Sequence, residues 1–174
     1  MRASIAGCEN NGVRRVKVVV SACLLGAPVR YNGRDKKADH PVLQRWIDEG
    51  RIVSVCPEVL GGLGTPRPPA EVVHPEGRRR VIAIDGRDVT AAFEAGAADA
   101  LAQAVRAGAR VAILKEGSPS CGSHYVYDGT FTSVRVSGQG VAAARFAERG
   151  IRVFSEDELD AAAEYVARLE SGRP

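Results

Sequence analysis

Val16-Lys17-Val18-Val19-Val20-Ser21-Ala22-Cys23 is a β-branched run that ends at a cysteine, and the recurrence of that joint decides the fold. Valines on a short run bounded by Ser and Gly predict a strand. Arg51-Ile52-Val53-Ser54-Val55 runs in the same way into Cys56-Pro57-Glu58. Arg110-Val111-Ala112-Ile113-Leu114-Lys115 leads to Glu116-Gly117-Ser118-Pro119-Ser120-Cys121. A fourth strand is predicted at Ile151-Arg152-Val153-Phe154.

Helical patterns lie between these strands. Val42, Leu43, Trp46 and Ile47 give one apolar face over 41–49, with Gly50 placed as a C-terminal stop. A longer helix is predicted over 90–107, where Phe93, Ala97, Leu101, Ala104 and Val105 share a side and Gly108 ends it. Further helices are predicted over 140–149 and from Ser155, an N-cap followed by Glu156 to Glu158, to about residue 169. Gly61 to Pro69 is too rich in Gly and Pro for regular structure. The segment 80–90 reads as a hairpin or excursion, and 125–137 as a polar loop or hairpin around Asp128-Gly129. Strand and helix in alternation predict a single α/β domain over 16–174, a mostly parallel, Rossmann-like sheet with helices on both faces. Residues 1–15 read as an N-terminal extension.

At 174 residues, 45% apolar and 26% charged, the chain has the composition of one ordinary globular core. It contains no apolar run of the roughly 20 residues that span a bilayer, and its first dozen residues lack the apolar centre of a signal peptide. A cytoplasmic protein is expected, with no membrane association and no obligate protein partner. In a reducing compartment the four cysteines are thiols, metal ligands or catalytic groups rather than disulfides. The net charge of +3 is concentrated in Arg14–Arg15–Lys17, Arg34–Lys36–Lys37 and Arg78–Arg79–Arg80. Such clusters either attract phosphate-bearing partners or form solvated faces.

The chemistry follows from position. Cys23, Cys56 and Cys121 are 33 and 65 residues apart, so no local zinc motif explains them. Each nevertheless follows a predicted strand, and loops leaving the carboxyl ends of parallel strands gather where ligands bind. A single cysteine is as easily a small buried hydrophobe. Three at equivalent joints predict a common metal site. Soft sulfur ligands select zinc, copper(I) or iron–sulfur clusters. Zinc would need completing ligands, for which His40, His74 and His124 are available. A 4Fe–4S cluster usually takes four thiolates, so three would leave one iron open to water or substrate. Cys8, after no strand, reads as a free thiol or an occasional fourth ligand.

Glu58, two residues past Cys56, is a candidate acid or base, or a surface carboxylate. Ser118 and Ser120 flank Pro119 beside Cys121, either as hydrogen-bond donors to cluster or substrate or as turn residues. Arg30, Tyr31 and Asn32 follow the first cysteine and either bind substrate or order their loop. Arg67 and Glu71 either form an ion pair that shapes the Pro-rich loop or touch substrate. Gly61-Gly62-Leu63-Gly64 lacks the spacing of a nucleotide phosphate loop.

The motifs Ser21-Ala22-Cys23-Leu24-Leu25-Gly26, Val29-Arg30-Tyr31-Asn32-Gly33, Val55-Cys56-Pro57-Glu58, Gly61-Gly62-Leu63, Pro66-Arg67 and Ser118-Pro119-Ser120-Cys121-Gly122 occur in one order. Together they resemble the bacterial 2-thiouracil and tRNA 2-thiouridine desulfurase family, over about residues 16 to 168. The resemblance implies a 4Fe–4S cluster on Cys23, Cys56 and Cys121, with one iron free. It implies removal of sulfur from a thiolated uracil, free or in tRNA, as hydrogen sulfide. It also implies acid–base work for Glu58 and a substrate-facing hydroxyl on Ser118. Cys8 has no counterpart in the family pattern. Two other readings are a tRNA sulfur transferase, disfavoured without a phosphate loop, and a non-catalytic metal or iron–sulfur binding protein.

Overall fold

The β-branched runs fold as strands whose residues alternate between two buried faces. The structure, a computed structural model, describes residues 15–172. The extension up to residue 14, and with it the expectation for Cys8, lies outside the described residues. In chain order come β1 (Val18–Ser21), a 3-10 turn (Ala22–Leu25), α1 (Pro41–Asp48), β2 (Ile52–Val55) and α2 (Pro57–Leu60). Then follow β3 (Ala70–Val73), β4 (Arg80–Ala83), α3 (Thr90–Arg106), β5 (Val111–Leu114), β6 (Tyr125–Tyr127) and β7 (Arg135–Ser137). The chain closes with α4 (Val141–Glu148), β8 (Arg152–Ser155) and α5 (Leu159–Ser171).

Four strands form one parallel sheet in the order β2-β1-β5-β8. Val18, Val20, Val111 and Ile113 pack with Leu43 and Trp46 of α1 and with Leu159, Ala162 and Val166 of α5. Val19, Ala112 and Leu114 point the other way, onto Ala100 and Ala104 of α3 and Ala143 and Phe146 of α4. Helices therefore cover both faces, as the strand–helix alternation predicts. Trp46, Phe93 and Phe146 are almost completely enclosed, each contributing on the order of 1.5–3 kcal/mol of apolar burial. The closing helix opens as its sequence suggests. Ser155 and Glu158 form a reciprocal capping box around a 3-10 turn that leads into α5.

The main departure is a hairpin. The predicted excursion over 80–90 does contain a tight turn, with an isolated bridge between Ile82 and Asp88. The principal partner of β4, however, is β3, paired antiparallel from Ala70↔Ala83 to Val73↔Arg80. Three prolines just before Ala70 mask this strand in the sequence. Proline removes a ladder donor, but the strand starts immediately beyond Pro69. The predicted loop or hairpin over 125–137 is a hairpin, β6 against β7. Val72, Val81 and Val126 close a third cluster with Phe93 and Val141, which seats both hairpins at the same end of the molecule.

Candidate active site

Strand order places the cysteines together. The chain steps from β1 outward to β2, then returns to the other side of β1 with β5, so β1 and β5 flank a topological switch point. At such a point the crevice beyond the strands' carboxyl ends is open to a ligand. Cys23 sits in the 3-10 turn after β1, Cys56 is the N-cap residue of α2 directly after β2, and Cys121 lies in the loop after β5. All three are free thiols and all three line one cavity of about 790 Å³.

The thiols feel one another. Burial pushes the Cys23 thiol up to about 11, and the neighbouring Cys56 sulfur adds to the rise. Burial likewise raises Cys56 and Cys121; the charges of both Cys23 and Cys56 oppose ionisation of Cys121. Arg30 and Lys115 oppose the shift at Cys23, Arg67 opposes it at Cys56, and a hydrogen bond with Ser21 opposes it at Cys121. Three thiolates in this space repel one another and are poorly solvated, so a multivalent cation is the natural partner that makes them stable.

The donor set discriminates among metals. No three His, Cys, Asp or Glu side chains among the described residues are gathered closely enough to hold a single ion. None of His40, His74 and His124 lines the cavity. His40 caps α1 through Nδ1, 3.2 Å from the Val42 amide, and His124 is engaged with Glu116. Mononuclear zinc completed by histidine does not suit this arrangement. Three all-sulfur donors spread around one cavity suit a polynuclear iron–sulfur centre. The residues present therefore fit a cluster.

Beside the sulfurs stands a carboxylate with built support. Glu58 lies in the first turn of α2, and its Oε2 accepts a hydrogen bond from Arg67 Nε at 2.8 Å, with Nη2 of the same guanidinium 2.6 Å away as an ion-pair contact. Arg67 is itself anchored to the carbonyls of Gly64 and Val29. Arg67 thus pairs with Glu58, and the ion pair entertained with Glu71 does not form. Ser118 Oγ accepts from the amides of Ser120 and Cys121, both at 3.1 Å, and lies 3.4 Å from Glu58 Oε1 as donor. One serine therefore ties the loop of Cys121 to the carboxylate next to Cys56.

The loop of Cys121 hangs on a residue that sequence reading passed over. Glu116 is buried and accepts from the amides of Gly117, Ser123, His124 and Tyr125, from Ser123 Oγ, and from His124 Nδ1. Burial works against its charge, but the hydrogen bonds from Ser123, His124 and Gly117 prevail and hold its pKa at about 2. Lys115 pairs with Glu156, whose other oxygen accepts from the Glu116 amide. Both Lys115 and Glu116 line the cavity. Their place at the end of a predicted strand was the only signal in the sequence, since, apart from the adjacent Gly117 amide, the side-chain partners named lie at least 7 residues away and Glu156 lies 41 from Lys115.

Of the expected substrate residues, Arg30 and Tyr31 line the cavity, the guanidinium lying 5.9 Å from the ring centre. Asn32 and Ser120 lie outside the lining. Asn32 Oδ1 instead accepts from the Arg34 amide and orders its turn. Ser120 is completely buried where its carbonyl caps the start of α4, and its hydroxyl has no partner among the described residues. The outer part of the cavity is walled by the two hairpins, through Glu71, Arg87, Tyr125, Tyr127 and Arg135.

Comparison with known proteins agrees with this geometry. Residues 18–158 match the family model described as 2-thiouracil desulfurase. The uncharacterized protein YbbK of Bacillus subtilis (strain 168) is 42% identical over 149 residues, spanning 82% of this chain and 97% of that protein. A solved structure described as a [4Fe-4S]-dependent thiouracil desulfidase, TudS, superposes with a TM-score of 0.82 at 48% identity. The match covers 87% of this chain and 98% of that one.

Proposed function

This chain belongs to the 2-thiouracil desulfurase family, and on that premise we propose that it is a 4Fe–4S-dependent enzyme that hydrolyses the C–S bond of a thiolated pyrimidine. The products are the pyrimidine carbonyl and hydrogen sulfide. The observation that carries the reading is the meeting of Cys23, Cys56 and Cys121 in one cavity that Glu58 and Ser118 also line. Those three cysteines would hold the cluster. When bound, the cluster supplies a thiophilic Lewis acid toward the thiocarbonyl sulfur.

The polypeptide supplies orientation and proton transfer. Arg67 fixes Oε2 of Glu58 and leaves Oε1 for Ser118 and the cavity. Glu58 takes a proton from the attacking water and returns a proton to the departing sulfur, so one water is consumed per hydrogen sulfide released and no electrons are needed. Ser118, its oxygen already accepting from two amides, points its own proton toward the carboxylate and holds it in register with the Cys121 loop. Arg30 and Tyr31 are the side chains of the first-cysteine loop available to the substrate ring.

No helix of the described residues is long and apolar enough to cross a membrane. Three free thiols suit the cytoplasm. The cavity volume suits a free base or nucleoside. The exposed run Arg34–Lys36–Lys37, of which Lys36 lines the cavity, is the feature that would serve a thiolated tRNA. Anaerobic incubation of reconstituted protein with 2-thiouracil and, separately, with thiolated tRNA decides between them by sulfide release. Release from neither, with the cluster intact, would overturn the proposal in favour of a non-catalytic iron–sulfur protein.

A further inference from the structure

The connection between β6 and β7 is attached to the rest of the molecule in an unusual manner. Its tip is cross-linked within itself: Asp128 Oδ1 accepts from the amide and hydroxyl of Thr130, and the Thr130 and Thr132 hydroxyls lie 2.6 Å apart. Phe131 and Ser133 are held at φ of 57° and 65°, a region that side chains other than glycine seldom enter. Such a conformation persists only where surrounding contacts hold it. One contact that reaches it from outside is Glu71 of β3. Its Oε2 accepts from the Gly129 amide at 2.8 Å and from the Phe131 amide at 3.0 Å. Among the described residues no cation pairs with that carboxylate. Gly129 sits so near β3 that a Cβ would lie 2.1 Å from Val73 Cγ1.

Glu71 lines the cavity, and so do Ser133 and Arg135 at the far end of the connection. Arg135 lies 4.5 Å from the ring centre of Tyr125, another lining residue. The connection, which contributes Ser133 to the chamber lining, is therefore a pre-folded tip fastened to the opposite hairpin by one carboxylate oxygen and by the close packing of Gly129 on Val73. We propose that Glu71 is a positioning residue for substrate binding, the latch that holds residues 128–134 so that Ser133 and Arg135 stand in the cavity wall. It acts on the substrate only through the loop. This inference rests on the desulfurase reading for its kinetic consequence but not for its structural one.

The test compares Glu71→Ala and Glu71→Gln with the wild-type protein, each reconstituted with its cluster. Hydrogen exchange of the Gly129 and Phe131 amides is followed alongside sulfide release from 2-thiouracil. Loss of charge-assisted bonds in Glu71→Ala is expected to speed exchange at those two amides about tenfold or more and to raise KM about tenfold, with kcat within about twofold. Because a single oxygen accepts both bonds, Glu71→Gln keeps an acceptor and should restore most of the protection and of KM. Unchanged exchange in Glu71→Ala overturns the latch. A fall in kcat at constant KM overturns the positioning role, as does a Gln variant no better than Ala. If the wild-type protein releases no sulfide, the functional reading fails, and the exchange comparison still decides the latch.

Discussion

Glu58 and Ser118 take their roles from their hydrogen-bond partners. The carboxylate is oriented by Arg67 and the hydroxyl by two amides of the Cys121 loop. Glu58→Gln preserves size and hydrogen bonding but cannot accept the proton. It should keep the brown colour of the cluster and lower kcat by roughly 100-fold or more, read as sulfide release; wild-type turnover would remove Glu58 from proton transfer. The cysteines were visible in the sequence because each follows a predicted strand, Cys56 directly, Cys23 almost so and Cys121 after a short loop. Glu116 was not visible, because its importance lies in how many donors fold back onto it. Its depressed pKa has a consequence of definite sign. The folded state binds its proton more weakly than the unfolded chain, so the contribution to stability is full above about 4.5 and is lost as pH falls toward about 2. Exchange at the Ser123 to Tyr125 amides should quicken through that window in the wild-type protein. Glu116→Gln should flatten the dependence, and an equally steep profile in the variant would assign the effect elsewhere.

Among the elements, α2 decides where Glu58 stands, and a four-residue helix has little stability of its own. Its position comes from a close approach to α3. A Cβ on Gly96 would lie 1.7 Å from the Pro57 carbonyl oxygen, and one on Gly61 would lie 2.0 Å from that of Ala92. Only glycines allow the two backbones so near. Gly96→Ala should therefore cost about 1–3 kcal/mol of stability in denaturant unfolding, despite alanine's better helix propensity. Since Cys56 and Glu58 flank Pro57, the same variant should take up iron poorly; normal stability and normal cluster loading would contradict this account of α2. The sequence read as irregular from Gly61 to Pro69 and did not reveal β3 just beyond. Local composition reports strands through their own residues. The pairing of β3 with β4 depends instead on contacts with Phe93 and Val126. Of the two alternatives open for Arg67 and Glu71, the ion pair does not form: Glu71 is nearer to Arg67 in sequence, but Glu58 is its partner in space.

On the scale of the molecule, sheet order does the assembling. The order β2-β1-β5-β8 makes three consecutive strands of the sheet the three that end in cysteine-bearing segments. The gathering of those strand ends at one edge was expected from the alternation of strand and helix, whereas the strand order was not legible and the two hairpins were only partly so. Their register depends on long-range contacts that no local pattern encodes. Burial also sets the thiol chemistry of the whole site. With Cys23 moved from 9.0 to about 11, its thiolate fraction at neutral pH falls about a hundredfold. Metal-free protein should accordingly react with iodoacetamide at Cys23 much more slowly than a free thiol does; reaction at the free-thiol rate would show that the site opens without its cluster.

The central claim is that three distant sulfurs hold one cluster. Iron and acid-labile sulfide analysis of anaerobically reconstituted wild type and the Cys23→Ala, Cys56→Ala and Cys121→Ala variants tests it most directly. The wild type should carry about four of each per chain, and every variant should lose most of both. A full complement of iron and sulfide retained without any one of these cysteines would contradict it.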